Sequence, residues 1–288
     1  MGSWFASPAD ARERLGAAGY LAGDGVATPV FLAAALEKPL LVEGPAGVGK
    51  TQLAKAVAEV CGAELIRLQC YEGLDEARAL YEWNYKKQLL RIQATGDQGW
   101  EETQQDIFGE EFLLERPLLR AIRRDAPAVL LIDEVDKADV EVEGLLLEIL
   151  SDYQVTIPEL GTITAVRRPY VVLTSNATRE LSEALKRRCL YLHLGYPTPE
   201  RERDIVLAQV PGIEAALAER LAGTVAVLRA LELKKSPSIA ETVDWARTLV
   251  ALGRAELDEA TTAGTLGVVL KHASDQARAA KELGLPTA

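Results

Sequence analysis

The eight residues Gly44-Pro45-Ala46-Gly47-Val48-Gly49-Lys50-Thr51 constrain this chain more than any other stretch. They satisfy G-x-x-x-x-G-K-[ST] at every fixed position, and the flanking sequence gives the pattern its required context. The apolar run Pro39-Leu40-Leu41-Val42 predicts a buried strand before it, and the Ala/Val-rich segment 52–60 predicts a helix after it. Strand, glycine-rich turn and helix N-terminus together aim backbone N–H groups at a polyphosphate. The glycines let the backbone come close, Lys50 reaches the β- and γ-phosphates, and the Thr51 hydroxyl holds Mg²⁺. Gly44 through Thr51, with Gln52, are therefore candidate nucleotide-binding residues, and ATP with Mg²⁺ is the expected cofactor pair.

A second motif, Val129-Leu130-Leu131-Ile132-Asp133-Glu134, carries four apolar residues into two acids. In a doubly wound sheet the C-terminal ends of the strands are where ligands bind. Asp133 is expected to coordinate Mg²⁺, directly or through water, and Glu134 to orient and deprotonate an attacking water. Alone, the pattern also describes a strand running into an acidic capping loop. Beside a complete phosphate-binding loop, the catalytic reading is preferred. Leu173-Thr174-Ser175-Asn176 ends a further apolar strand, so a short polar side chain there reaches a γ-phosphate or its attacking water, although Asn after a strand also serves as a turn residue. Lys186-Arg187-Arg188 closes a helical pattern. These cations either complement the helix C-terminal dipole or offer an arginine finger to a neighbouring subunit's nucleotide, and the sequence leaves both readings open.

Strand patterns at 64–69, 128–132, 170–174 and 190–194 alternate with helical ones, for example 140–150, which predicts an α/β fold with a parallel sheet covered on both faces. Ser7-Pro8-Ala9-Asp10 reads as a capped helix start, and 24–36 as a second helix. Two segments break the alternation. Residues 154–166 place β-branched residues around a Pro/Gly turn and predict a hairpin. Residues 71–105 are polar yet carry Tyr81, Trp83, Tyr85 and Trp100. Those rings either pack the segment onto its own domain or project to grip a partner, with Leu160 of the hairpin on the same face. After Pro197 and Pro199 strand signals stop and the chain is helical to its end, which puts a domain boundary there: 1–196, then 197–288.

The net charge of −11 over 288 residues repels a nucleic-acid backbone, so no nucleic-acid partner is expected, although Arg120, Arg123 and Arg124 form a local basic cluster. Three scattered cysteines and two histidines offer no metal-ligand spacing and read as reduced thiols in a cytoplasmic protein. The first residues lack a basic region followed by an apolar one, and no apolar run reaches about 18 residues, so neither a signal peptide nor a membrane span is expected.

In order and spacing these elements resemble the AAA+ ATPases, and most of all the MoxR family. The approach Val26-Ala27-Thr28-Pro29-Val30-Phe31-Leu32 through Glu43-Gly44 is similar to that family's, as is Leu131-Ile132-Asp133-Glu134-Val135-Asp136-Lys137-Ala138. Thr174-Ser175-Asn176-Ala177-Thr178-Arg179 through Cys189 and Ser238-Ile239-Ala240-Glu241-Thr242-Val243-Asp244-Trp245 resemble its CoxD branch, associated with maturation of carbon monoxide dehydrogenase-type molybdenum enzymes. The resemblance implies a catalytic set of Lys50, Glu134, Asn176 as sensor 1, and Arg187 or Arg188 as arginine finger. It makes 71–105 the helix-2 insertion, 153–167 the pre-sensor-1 hairpin and 197–288 the α-helical lid. It also implies a homo-hexameric ring, a partner with a von Willebrand factor A domain, and a client metalloenzyme that is remodelled or matured. One departure stands out. Many relatives carry an arginine directly after Ser-Pro in the lid, whereas here Ser236-Pro237 is followed by Ser238, leaving Lys234, Lys235 or Arg247 as candidate replacements. A nucleic-acid motor or loader, and a nucleotide-bound scaffold with negligible turnover, are the competing readings.

Overall fold

A computed structural model describes residues 4–95 and 107–285. Trp100, the remainder of the 71–105 segment beyond residue 95, and the first three residues lie outside the described residues. The chain divides into two compact units, one of Met1–Glu43 with Thr51–His193 and one of Gly44–Lys50 with Leu194–Ala288.

The strands are β1 (Leu40–Glu43), β2 (Glu64–Gln69), β3 (Tyr81–Trp83), β4 (Leu113–Glu115), β5 (Ala128–Asp133), β6 (Gln154–Ile157), β7 (Gly161–Thr164), β8 (Tyr170–Ser175) and β9 (Leu190–His193). Five of them form a wholly parallel sheet in the order β2-β5-β8-β1-β9. Helices α1 (Pro8–Ala17), α2 (Asp24–Ala35), α3 (Lys50–Val60), α4 (Glu76–Ala79), α5 (Tyr85–Thr95), α6 (Pro117–Arg123), α7 (Val140–Asp152) and α8 (Glu183–Arg188) accompany them. Every residue of β5 and of β8 is buried, which is why both read as unbroken apolar runs rather than alternating ones. Parallel strands finish at one edge, and the register fixes which residues share it. Gln69 lies opposite Asp133, Ile132 opposite Leu173, and Val42 opposite Thr174.

Leu130, Ile132 and Leu173 pack with Leu118, Leu119 and Ile122 of α6 and with Leu146 and Ile149 of α7 in one cluster. Each such fully buried aliphatic side chain contributes about 1.5–3 kcal/mol relative to exposure. Local signals set the helix starts: Ser7 accepts from the Asp10 N–H with Pro8 in the first turn, and Ser182 accepts from the Leu185 N–H. The 154–166 hairpin forms as β6 and β7, paired antiparallel from Gln154–Thr164 to Ile157–Gly161.

The aromatic segment contains an element the sequence pattern did not indicate. β3 pairs antiparallel with β4, thirty residues further on, with Trp83 opposite Leu113. Trp83 is buried, edge-on to Tyr81 (centroids 6.2 Å apart) and to Phe108 (5.2 Å), while Tyr85 is exposed. Leu160 is half-buried against the same core. Trp83 therefore packs within its own unit, and Tyr81 and Leu160 lie half-buried against the same core. The cluster Arg120, Arg123 and Arg124 is likewise occupied within the unit: Arg120 pairs with Glu64, Arg124 with Glu64 at 2.7 Å, and Arg123 with Glu110 at 2.6 Å.

The second unit carries α9 (Pro199–Gln209), α10 (Ala215–Ala230), α11 (Ile239–Ala251), α12 (Glu259–Thr265) and α13 (Ala273–Glu282). Leu221, Val225, Leu228, Trp245 and Leu249 centre its core, and the buried Trp245 indole donates to Thr265 Oγ1 at 2.7 Å. A buried ion pair crosses it. Glu202 accepts from Arg229 and, at 2.6 Å, from Thr242, while Arg229 also donates to the Pro237 carbonyl and stacks over the Tyr196 ring. A charge this buried is tolerable only with such partners.

Replacing Trp83 with Ala is expected to lower the unfolding free energy by about 3–5 kcal/mol through lost burial and the cavity left behind. Urea unfolding of the two proteins checks this, and a loss below 1 kcal/mol would return Trp83 to the surface-anchor reading.

Candidate nucleotide site

Residues 44–49 form the turn between β1 and α3, and Lys50 opens the helix. Two glycines are required by close approach. At Gly44 a Cβ would lie 1.9 Å from the Leu194 carbonyl oxygen. At Gly47, whose φ is +76°, it would lie 2.2 Å from Ser238 Cβ. The Gly47 carbonyl accepts the Ile239 N–H at 3.1 Å, so the first turn of α11 is hydrogen-bonded to the loop. Pro45, Ala46, Val48 and Gly49 complete the turn. Lys50 Nζ donates to the carbonyls of Gly44 (2.7 Å) and Pro45 (2.8 Å), which points the ammonium back across the mouth of the loop. Gln52, one turn into α3, is exposed.

The last loop residue meets the acidic strand end. Thr51 Oγ1 donates to Asp133 Oδ1 at 3.0 Å, and Thr174 Oγ1 donates to the same oxygen at 2.6 Å. Asp133 is 2% exposed, and its other oxygen accepts from Arg67 Nε (3.0 Å) and Nη2 (2.5 Å). Hydroxyl and carboxylate oxygens at this spacing are the hard donors that Mg²⁺ takes. Among the described residues no three acidic, His or Cys side chains form a cage, so the donor set fits a Mg²⁺ that completes its shell with phosphate and water.

Glu134 has φ 57° and ψ 48°, a left-handed conformation uncommon for a non-glycine residue and typical of strained functional positions. Its N–H donates to Thr174 Oγ1 at 2.9 Å. Its carboxylate accepts from Asn176 Nδ2 (3.4 Å), Gln69 Nε2 (3.1 Å) and Lys137 Nζ (2.6 Å). The bond to Glu134 holds the Lys137 ammonium above its ordinary pKa. Asp136 organises the neighbouring loop by accepting the backbone N–H groups of Asn176 and Thr178 and the Thr178 hydroxyl. Burial pushes the Asp136 carboxyl up, but those hydrogen bonds outweigh it and leave its pKa below the usual value.

A family model for the AAA domain (dynein-related subfamily) matches residues 39–189, just over half of the chain. The chain belongs to this AAA family. It is 31% identical over 164 residues to the chaperone protein ClpB of Oceanobacillus iheyensis, covering 56% of this chain and 17% of that one. It is 38% identical over 136 residues to chaperone protein ClpB 2 of Parasynechococcus marenigrum, covering 46% and 13%. An uncharacterised protein of Staphylococcus aureus is 27% identical over 186 residues, covering 60% and 62%. The chain thus spans less than a fifth of the ClpB proteins and under two thirds of the staphylococcal one.

Within this AAA domain Thr51, Asp133, Glu134 and Asn176 gather at one edge of the sheet. Arg187 and Arg188 sit elsewhere, at the end of α8 and just before β9 begins, and they differ. Arg188 donates to Ser151 Oγ (2.5 Å) and to the Ala184 carbonyl (2.9 Å), whereas Arg187 is exposed and has no partner among the described residues. Of the candidate replacements for the missing lid arginine, Lys235 pairs with Glu241 at 3.2 Å, and Lys234 is exposed with its N–H on Asp275. Arg247 pairs with Asp244, about 12 Å along α11 from Ile239 by helical rise. The residue against the loop is Ser238 itself, in a capping box with Glu241. Sequence reasoning missed Arg67, Gln69, Lys137 and Asp136. Arg67, Gln69 and Asp136 meet partners 40 or more residues away in sequence, which no local pattern encodes, whereas the Lys137–Glu134 pair is a local i,i+3 contact.

Asp136→Asn removes the charge and replaces one of the two accepting oxygens with an NH₂ that faces the N–H of Asn176 or the donors of Thr178, and is expected to cost about 2–3 kcal/mol at neutral pH. Because the folded-state pKa is depressed, that contribution is present above the ordinary carboxyl value of 3.8 and is lost as pH falls through the folded value. The stability gap between parent and variant should therefore shrink in acid. A gap constant from pH 7 to 3 would remove Asp136 from this role.

Proposed function

We propose that this AAA domain binds ATP with Mg²⁺ and hydrolyses it to ADP and phosphate, using the cycle to remodel a client protein. The observation that carries this is the meeting of the phosphate-loop Thr51 with Asp133, beside a Glu134 carboxylate held in place by Asn176 and Gln69. Bound Mg²⁺ supplies charge neutralisation at the β- and γ-phosphates. Lys50 turns from the Gly44 and Pro45 carbonyls onto the phosphates, and the loop N–H groups cradle them. Glu134 takes the proton of the attacking water, and Asn176 orients that water or the γ-phosphate. Residues 1–196 act as the nucleotide-binding core and 197–288 as its lid.

The finer reading is a MoxR-type ATPase of the CoxD branch, cytoplasmic and assembled as a homo-hexamer. It works with a von Willebrand factor A-domain partner on a molybdenum hydroxylase or carbon monoxide dehydrogenase-type client. It is supported by the motif resemblance at 131–138, 174–189 and 238–245, and its remodelling side fits the likeness to two ClpB chaperone proteins. Affinity capture with Glu134→Gln from the native host tests the client, and a haul without any metalloenzyme would set this branch aside.

Lys50→Ala is expected to abolish tight ATP binding in a folded protein. Glu134→Gln should bind ATP and retain it uncleaved, since the shape persists while the base is lost. Equilibrium binding and phosphate release separate the two, and parental turnover by Glu134→Gln would remove Glu134 as base.

Of the two arginines, Arg187 is proposed as the finger, because it is the cation without a partner among the described residues. Arg187→Ala should leave ATP binding intact and lower kcat by about 10³ or more, whereas Arg188→Ala should keep most activity. Mixing Arg187→Ala with Lys50→Ala protein should restore part of the activity by pairing an intact site with an intact finger. Equal losses in the two single variants would count against the assignment.

A further inference from the structure

Arg67 is a charged residue on an otherwise apolar stretch of β2, and its side chain is 48% exposed. Among the described residues β2 is hydrogen-bonded to β5 alone in the sheet, so Arg67 sits on an edge strand. Period-two geometry puts Arg67 and Gln69 on the same face. They divide the two acids between them: Gln69 donates to Glu134, and Arg67 donates through Nε and Nη2 to a single oxygen of Asp133, at 3.0 and 2.5 Å. Gln69 also accepts from Arg67, which steadies the guanidinium.

Asp133 needs this. It is 2% exposed at the end of a wholly buried strand, and Thr51 and Thr174 both donate to its Oδ1. Neutral hydroxyls do not balance a buried charge, and without a cation the carboxylate would stand uncompensated. Arg67 supplies that cation here. A divalent ion at the Thr51–Asp133 oxygens would supply it instead, and a guanidinium within hydrogen-bond reach of the same carboxylate would repel such an ion a few ångströms away.

We propose that Arg67 is a displaceable counter-cation for Asp133, a positioning residue that keeps the metal-free site folded and raises the Mg²⁺ concentration the nucleotide site requires. This rests on the nucleotide reading above. Half-exposure gives the side chain room to swing into solvent when metal arrives.

The experiment compares the parent with Arg67→Gln and Arg67→Lys. A fluorescent ADP analogue is bound and Mg²⁺ is titrated from an EDTA buffer, with thermal melting recorded in EDTA and in Mg·ADP. Arg67→Gln is expected to lower the Mg²⁺ midpoint by about fivefold or more, the scale of ordinary site-to-site coupling. It should also melt below the parent in EDTA and close that gap in Mg·ADP. Arg67→Lys keeps the charge and should stay near the parental midpoint. An unchanged or raised midpoint in Arg67→Gln, with melting lowered equally in both buffers, makes Arg67 a plain structural ion pair and overturns the inference. So does a Lys variant that shifts as far as Gln. A parental protein that binds the analogue with no Mg²⁺ dependence overturns the competition alone, whereas one that binds no nucleotide at all overturns the nucleotide reading and the inference with it.

Discussion

A buried carboxylate at the end of an apolar strand is the constraint around which the first unit is arranged. Asp133 finishes β5, all of whose residues are buried, and a charge there is tolerable only with donors on every side. The parallel register provides them. Thr51 comes from the helix after β1, Thr174 from the end of β8, and Arg67 from β2. The strand order β2-β5-β8-β1 puts β5 between two of these sources. Thr174 does double duty, donating to Asp133 and accepting from the Glu134 N–H. That second bond sits where the backbone of Glu134 turns left-handed, and it ties the orientation of one acid to the position of the other.

Much of this was legible in the sequence for a simple reason. A strand buried on both faces must be apolar throughout, and a phosphate loop must place its glycines and lysine at fixed offsets, so β1, β5, β8 and the 44–51 loop announced themselves. The hairpin was legible from its β-branched pattern. What stayed hidden is non-local. β3 and β4 are three residues each, too short for a periodic signal, and their pairing joins a strand inside the 71–105 segment to one beyond it. Tyr81 and Trp83 suited burial and exposure on composition, and the contact with Phe108 decides for Trp83. Arg67 is one of three polar residues in β2, and nothing near it in sequence reveals that the register brings Asp133 within its reach. The basic cluster 120–124 was visible as charge, but its partners Glu64 and Glu110 were not.

The 44–50 turn belongs, by its contacts, with the helical unit, and this bears on the missing lid arginine. An arginine after Pro237 would sense a phosphate by Coulomb attraction. Ser238 carries no charge; its side chain lies against Gly47 too closely for any Cβ, and the next N–H is bonded to the Gly47 carbonyl. What this helix end can respond to is the shape of the loop. If nucleotide binding turns the Gly47 peptide, the Ile239 hydrogen bond must lengthen or α11 must follow. The start of α11 resists deformation, because the Ser238–Glu241 capping box is closed in both directions and the preceding Pro237 carbonyl is held by Arg229, itself fixed on buried Glu202. Glu202 also takes the Thr242 hydroxyl from the first turn of α11. Loop, cap and buried ion pair therefore form one continuous path of hydrogen bonds from Gly47 to α9 and α10. A motion entering at the loop is carried into the helical core through short, directional bonds, and the one long cation in the path, Arg229, is pinned between the Pro237 carbonyl and buried Glu202.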